Sequence, residues 1–173
     1  DHKAVFDNDE GPNTGGMGAY STDNILGPEL EREVLQRVIR PVIEGMKSEL
    51  NPFQGILYAG LMLTDRGVQV LEFNVRMGDP ECQVILPRLK SDFSDLCEAL
   101  CQGRLKEYKA AWNSDAAVCV VLASGGYPGP YAKGKAISGL GMAEENKRVA
   151  VFHAGTRKEG EQFLTDGGRV LGV

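Results

Sequence analysis

The sequence predicts an α+β fold, with helices and a hairpin in its first part and short strands towards its end. Residues 28–49 carry an apolar side chain at every fourth position, which is typical of an amphipathic helix. Residues 55–63 are almost wholly apolar, as in a strand covered on both faces, and a turn at residues 65–67 leads to a returning strand at 68–74. The pattern then changes to that of strands, which places a domain boundary between residues 112 and 113.

The chain before the first helix is predicted to be a loop. Residues 4–27 are rich in glycine, asparagine, aspartate and serine. Structureless loops of this length are uncommon unless they bind something or are disordered. Pro28 suits the first position of the helix that follows, and Pro41 is expected to kink or split that helix.

A second helical region and further strands are predicted beyond the hairpin. Asp79, Pro80 and Glu81 have the chemistry of a helix start, since Asp caps, Pro fits the first position and an acid favours the first turn. Another helix is predicted from Ser91 to near Gly103. Strands are predicted over residues 116–123, 149–153, 162–164 and 169–173.

The composition is that of an ordinary globular domain. The chain has 173 residues, of which 42% are hydrophobic and 25% charged, with a formal net charge of -5 at pH 7. This charge argues against a nucleic-acid partner. No apolar run approaches the roughly 20 residues of a membrane span, and no signal-peptide pattern opens the chain, so we expect a cytoplasmic protein without a membrane partner. The 4 cysteines form no C-x-x-C pair, which favours buried free thiols.

The segment richest in chemical information lies where the predicted hairpin ends. Side chains alternate along a strand, so Glu72, Asn74 and, if the extended geometry persists, Arg76 point the same way. Carboxylate and amide oxygens suit Mg²⁺, and a guanidinium suits phosphate or carboxylate. Val68 and Val70 are expected on the same face, where they would half-bury the Glu72 carboxylate and make it require a partner. An exposed polar strand face is the alternative.

Two further segments are candidate binding sites. The glycine-rich residues 11–18 would let backbone N–H groups converge on an anion, although no Walker lysine follows and a flexible surface loop is an equal alternative. Asp79, beside Arg76, is a candidate to meet an ammonium group, but helix capping alone would also explain it. His2 and His153 are weak signals, and no H-E-x-x-H or G-x-S-x-G motif points to a hydrolase.

Taken in order, these motifs resemble the glycinamide ribonucleotide synthetase family of the ATP-grasp superfamily. The resemblance is carried by residues 11–20, 55–62, 71–81, 89–92, 126–129, 151–156 and 167–171. It implies that residues 1–112 form the C-terminal half of an ATP-grasp domain and that residues 113–173 begin a small β-rich C-terminal domain. It also implies a ligase of purine synthesis, which joins glycine to 5-phosphoribosylamine through glycyl phosphate while ATP becomes ADP.

The same resemblance implies roles for individual residues. Glu72 and Asn74 match the family's Mg²⁺ (or Mn²⁺) ligands. Arg76 would lie against the transferring phosphoryl group or the substrate carboxylate, and Asp79 is a candidate for binding an amine. The family's substrate-side loop matches Asn13, Thr14, Gly15, Gly16 and Met17.

The sequence departs from the family pattern in two ways. Many ATP-grasp enzymes have a further metal-binding acid on the strand before Glu72, where this chain has Ala59 and Gly60. The lid, the adenine pocket and the phosphate-contacting lysine also lack counterparts here. We therefore expect a fragment, inactive alone, whose partner is the rest of a parent chain. The alternatives are another ATP-grasp carboxylate–amine ligase or carboxylase, and a non-catalytic module of a multifunctional purine enzyme.

Overall fold

The structure, a computed structural model, covers residues 1–173 and divides into two compact units. The first unit comprises Asp1–Ser21, Asp79–Pro87 and Ala116–Val173, and the second comprises Thr22–Gly78 and Arg88–Asp115. The α+β class predicted from the sequence is confirmed. The domain boundary expected between residues 112 and 113 lies inside Arg88–Asp115, the last segment of the second unit. That boundary stays a prediction.

The strands are short and the helices are few. In chain order the strands are β1 (His2–Ala4), β2 (Asn13–Ser21), β3 (Tyr58–Thr64), β4 (Gly67–Asn74), β5 (Ala117–Ala123), β6 (Ala136–Ile137), β7 (Phe152–His153), β8 (Thr156–Glu159), β9 (Gln162–Thr165) and β10 (Arg169–Gly172). The α-helices are α1 (Pro28–Val34), α2 (Arg40–Ser48), α3 (Cys82–Ile85), α4 (Phe93–Cys101) and α5 (Leu140–Glu144). None of these helices combines the length and the apolar composition needed to cross a membrane.

A five-stranded antiparallel sheet forms the main layer of the first unit, in the order β1-β2-β5-β10-β7. Strand β2 occupies residues for which the sequence predicted a loop, so that prediction is wrong over Asn13–Ser21. Its glycines allow close pairing, because a Cβ at Gly18 would lie 2.7 Å from the Cys119 carbonyl oxygen on β5. A smaller sheet of the same unit has the order β6-β9-β8.

The core of the first unit lies where α3 packs on β2 and β5. It consists of the buried residues Ala19, Val84 and Cys119, with Ile85 and Ala117 packed against them. The opposite face of β5 is exposed at its alternate residues, which are Val118, Val120 and Leu122. Strand β5 is therefore covered on one face only, although its sequence is apolar throughout.

The second unit combines the β3–β4 hairpin with helices. The predicted helix over residues 28–49 consists of α1 and α2 joined by a π-helical turn at Leu35–Ile39. Pro41 lies in the first turn of α2, directly after the π turn, as expected for a residue that cannot donate a backbone hydrogen bond. Helix α4 is capped by Asp92, whose Oδ1 accepts from the Ser94 N–H at 2.7 Å.

The hairpin is more open than its sequence predicted. Met62 and Leu63 on β3 and Leu71 on β4 are exposed, so the strands are not covered on both faces. The cysteines also differ from expectation, because only Cys119 is buried and Cys97 and Cys101 are exposed. None of the cysteines is in a disulfide.

Replacing Val84 by Ala tests the core of the first unit. Val84 is 2% exposed, and loss of two buried methyl groups is expected to lower the free energy of unfolding by about 2 kcal/mol. Val118→Ala is the matched control, since Val118 is 67% exposed and its truncation should cost below about 1 kcal/mol. Urea unfolding of both variants measures the difference, and equal losses would contradict this packing.

Candidate functional site

Glu72 and Asn74 lie together on one face of the hairpin end. Across the hairpin Glu72 pairs with Gly60, and Asn74 pairs with Tyr58, with regular register between the two pairs. Alternation along β4 therefore directs both side chains to the same face. Glu72 is exposed and Asn74 is half-buried, so two oxygen donors stand side by side at an open surface.

A β-bulge separates this pair of residues from the valines that precede it. Leu61 pairs with Val70, whereas the residue before it pairs with Glu72, which leaves Leu71 without a partner. Residues paired across the hairpin point to the same face, and successive residues on β3 point to opposite faces. Because Gly60 pairs with Glu72 and Leu61 pairs with Val70, Val70 and Val68 lie on the face opposite to that of Glu72. The expectation that these valines half-bury the Glu72 carboxylate is therefore wrong, and the carboxylate is solvated.

The glycine opposite Glu72 makes room for that side chain. A Cβ at Gly60 would lie 3.0 Å from Glu72 Cγ, which is tighter than most real contacts. An acidic side chain at position 60 would thus crowd Glu72. The donor set suits Mg²⁺, which prefers carboxylate and amide oxygens and readily keeps water and phosphate oxygens as further ligands. No group of three or more His, Cys, Asp or Glu side chains in the structure is placed to hold a metal.

Arg76 lies past the end of the strand. Strand β4 ends at Asn74, so the alternation that placed Arg76 on the same face does not extend to it. Its side chain is exposed, and Nη1 donates to the Met77 carbonyl oxygen at 2.9 Å. The Arg76 guanidinium is thus exposed, two residues before this segment of the second unit ends at Gly78.

The glycine-rich segment is part of strand β2 in the first unit. The Gly15 N–H donates to the Tyr127 hydroxyl at 3.1 Å, and the Gly16 N–H donates to Thr14 Oγ1 at 3.0 Å. These two N–H groups are therefore engaged within the protein, and an anion site formed by backbone N–H groups of residues 11–18 stays a prediction that they do not support. Gly16 has φ +116, and a Cβ there would lie 2.5 Å from Pro80 Cδ.

Asp79 does not cap a helix. Helix α3 begins at Cys82 with Glu81 at the N-cap position and no side-chain cap, so the predicted cap is wrong because Asp79 precedes the helix by too many residues. Its carboxylate instead contacts Arg169, with Nη2 3.0 Å from Oδ2, and accepts from Gln83 Nε2 at 2.9 Å through Oδ1. The Asp79 side chain remains 52% exposed.

Arg169 is the residue of this cluster that sequence reasoning missed. Its Nη1 donates to the carbonyl oxygens of Gly15 and Asp79, each at 2.9 Å. In the sequence, Arg169 follows Gly167 and Gly168, and Tyr127 follows Gly125 and Gly126, so both are expected in turns. The only available signal was that both residues lie in segments carrying the family resemblance, and no local pattern distinguished them from turn residues.

The predicted site residues are thus divided between the two units. The first unit contains Asp79 and the glycine-rich strand residues Asn13, Thr14, Gly15, Gly16 and Met17. Of these, Gly16 lies against the Asp79 segment, and Gly15 shares the Arg169 guanidinium with it. Glu72, Asn74 and Arg76 belong to the second unit.

The thiols near Asp79 are poorly suited to nucleophilic chemistry. Burial, and secondarily the negative charge of Asp79, raise the pKa of the Cys119 thiol. The same two causes in the same order raise the pKa of Cys82. A raised pKa lowers the thiolate fraction at neutral pH, and the thiolate is the reactive form.

Two family models match successive parts of the chain. Residues 1–82 match the model of the phosphoribosylglycinamide synthetase ATP-grasp (A) domain, and residues 117–173 match that of the C domain of the same synthetase. Together the two matches account for most of the chain, in the expected order. The fold is thus that of an ATP-grasp part followed by a C domain. The chain belongs to the phosphoribosylglycinamide synthetase family.

Individual relatives agree with the family match. Phosphoribosylamine–glycine ligase of Vibrio cholerae is 50% identical over 172 residues, which are 99% of this chain and 40% of the relative. The trifunctional purine biosynthetic protein adenosine-3 of Gallus gallus is 51% identical, over 100% of this chain and 17% of its own length. A crystal structure of phosphoribosylamine–glycine ligase from Thermotoga maritima superposes with a TM-score of 0.78 at 34% identity, covering 99% of this chain and 41% of that one.

Replacing Gly16 by Ala tests the contact between β2 and the Asp79 segment. The positive φ alone disfavours a Cβ by about 1–2 kcal/mol, and the clash with Pro80 adds to it, so we expect a loss of at least about 2 kcal/mol in the free energy of unfolding. Gly45→Ala in α2 is the control. Nothing lies within 4 Å of a Cβ there, so it should stabilise by up to about 1 kcal/mol. A tolerated Gly16→Ala, measured by thermal unfolding, would contradict this geometry.

Proposed function

We propose that this chain is part of a phosphoribosylamine–glycine ligase, longer than 173 residues, that uses ATP to join glycine to 5-phosphoribosylamine. The proposal is supported by the two collinear family matches and by relatives of that name, of which the chain spans about 40%. The structural observation that carries it is the placement of Glu72 and Asn74 on one open face. A cytoplasmic location is part of the proposal, because one relative is named as a purine biosynthetic protein.

Glu72 and Asn74 would hold Mg²⁺ (or Mn²⁺) through carboxylate and amide oxygens. When bound there, the ion would offset negative charge on the ATP phosphates. Two protein ligands are enough only if phosphate oxygens and water complete the coordination shell, which fits a site that is open and solvated. Gly60 keeps the position opposite Glu72 clear of a competing side chain.

Arg76 would contact the transferring phosphoryl group or the glycine carboxylate. A guanidinium offers a planar fork of donors that matches both anions. Its exposure beyond the end of β4 leaves it accessible to such a group. Its role is to orient the reacting oxygen and to offset the negative charge of two anions that must approach each other.

Asp79 would receive an ammonium or amine group of a substrate, with the strand from Asn13 to Met17 beside it. A carboxylate has about four lone-pair positions, and its contacts with Arg169 and Gln83 leave Asp79 half exposed. The space beside Gly15 is taken up by Arg169 and that beside Gly16 by Pro80, so a substrate would reach Asp79 at the exposed part of its carboxylate.

The reaction then proceeds by phosphoryl transfer and acyl transfer. A glycine carboxylate oxygen attacks the γ-phosphorus of ATP, and ADP leaves with the electrons of the broken P–O bond. The amine nitrogen of 5-phosphoribosylamine attacks the acyl carbon, phosphate leaves with the electron pair of the C–O bond, and the nitrogen loses a proton to water. Positioning and charge neutralisation supply most of the catalysis in such steps.

The variant Glu72→Ala in the full-length protein tests the metal assignment. We expect ligase activity to fall at least about 100-fold, because a direct ligand is lost and even groups that only support ligands are worth 10–100-fold. Glu44→Ala is the control, since Glu44 is also exposed in the same unit but lies on α2. If Glu72→Ala keeps full activity in a glycinamide ribonucleotide assay, the metal assignment is lost and a non-catalytic module becomes the better interpretation.

Substrate-dependent ADP release distinguishes the ligase from other ATP-grasp enzymes. We expect the full-length protein to release ADP with glycine and 5-phosphoribosylamine and not with bicarbonate, the substrate of a carboxylase. The 173-residue chain alone should show no turnover, because it spans only about 40% of the ligases that it matches. Release of ADP by the full-length protein with bicarbonate, or turnover by the isolated chain, would each contradict part of this proposal.

A further inference from the structure

We propose that Arg169 is a positioning residue for Asp79, through which the C-domain segment sets the geometry of the amine-binding site. The inference rests on the proposed function, because it assigns a task to the site in which Asp79 receives a substrate amine. Arg169 stands at the start of β10, within residues 117–173, which match the C domain. Asp79 lies within residues 1–82, which match the ATP-grasp domain.

The Arg169 guanidinium is held against Asp79 by an ion pair and by a hydrogen bond to its main chain. Nη2 lies 3.0 Å from Oδ2 of Asp79, and Nη1 donates at 2.9 Å to the main-chain carbonyl oxygen of the same residue. The side chain of Arg169 is only 22% exposed. One guanidinium therefore fixes both the carboxylate and the backbone of Asp79, which a single ionic contact would not do.

The same guanidinium reaches the glycine-rich strand. Nη1 donates to the Gly15 carbonyl oxygen at 2.9 Å, and a Cβ at Gly15 would lie 3.0 Å from Arg169 Cζ. The Tyr127 hydroxyl accepts from the N–H of the same glycine at 3.1 Å. Gly15 is thus held at its N–H and at its carbonyl by two C-domain residues, and its lack of a side chain lets the guanidinium lie against the strand.

This arrangement determines how Asp79 presents its charge. A carboxylate held by a planar fork keeps a defined plane, whereas a carboxylate on a free side chain rotates. An ammonium ligand gains most from an acceptor that is oriented before it arrives, because no ordering is then required on binding. Lysine in place of Arg169 would keep the charge but would lose the fork that reaches the carboxylate and the carbonyls together.

The variants Arg169→Gln and Arg169→Lys in the full-length protein test this inference. We expect each to raise the KM of one amine-bearing substrate, glycine or 5-phosphoribosylamine, about 10-fold or more, the usual scale for a charge-assisted bond. The KM of ATP and kcat should change less than about 3-fold. Arg157→Gln is the matched control, because Arg157 pairs with Glu159 in the same C-domain segment; it should leave all three parameters unchanged.

A double-mutant cycle with Asp79→Asn separates positioning from general stability. If Arg169 acts through Asp79, the double variant should have the same KM as Asp79→Asn alone, within about 2-fold. Additive effects, or an unchanged KM in Arg169→Lys, would overturn the inference. Tyr127→Phe removes only the hydroxyl bonded to Gly15, and it should give a smaller increase in the same KM. If the wild-type protein makes no glycinamide ribonucleotide, the proposed function fails instead.

Discussion

The antiparallel pairing of β2 with β5 is the interaction on which the first unit depends. It joins Gly18–Ser21 to Ala117–Val120, segments separated by about a hundred residues of chain. Loop closure over such a length has an entropic cost that one strand pair does not offset alone. The pairing persists because α3 packs on both strands and buries Val84 against Ala19 and Cys119. The position of Asp79, just before α3, follows from that packing.

The local elements of the fold were predictable because their signals are local. The β3–β4 hairpin, the helical region from Pro28 and the strand at Ala117–Ala123 were all anticipated within a few residues. Strand β2 was not, since its glycines have no strand propensity and only the close approach of Cys119 on β5 explains them. The bulge at Leu71 was equally invisible, because a register shift is set by pairing and not by the alternation of one strand.

The candidate site was predictable as a set of residue types but not as a network of contacts. The sequence placed Glu72 and Asn74 on one face, and the register of the hairpin agrees. It assigned Asp79 to a helix cap, whereas the carboxylate lies against an arginine 90 positions away. No periodicity links residues so far apart, and a charge pair between them depends on tertiary structure alone. The family resemblance pointed to the right segments without showing which side chains meet.

The open face of β5 has a consequence for the behaviour of the polypeptide in solution. Val118, Val120 and Leu122 form an apolar row on a strand whose other face is packed. Water in contact with such a row is unfavourable by roughly 25 cal/mol for each Å², and contiguous apolar patches favour self-association. We therefore expect solutions of the isolated chain to scatter light increasingly as concentration rises. Sulfate salts, which strengthen apolar burial, should accelerate the clouding, and mild detergent should reverse it.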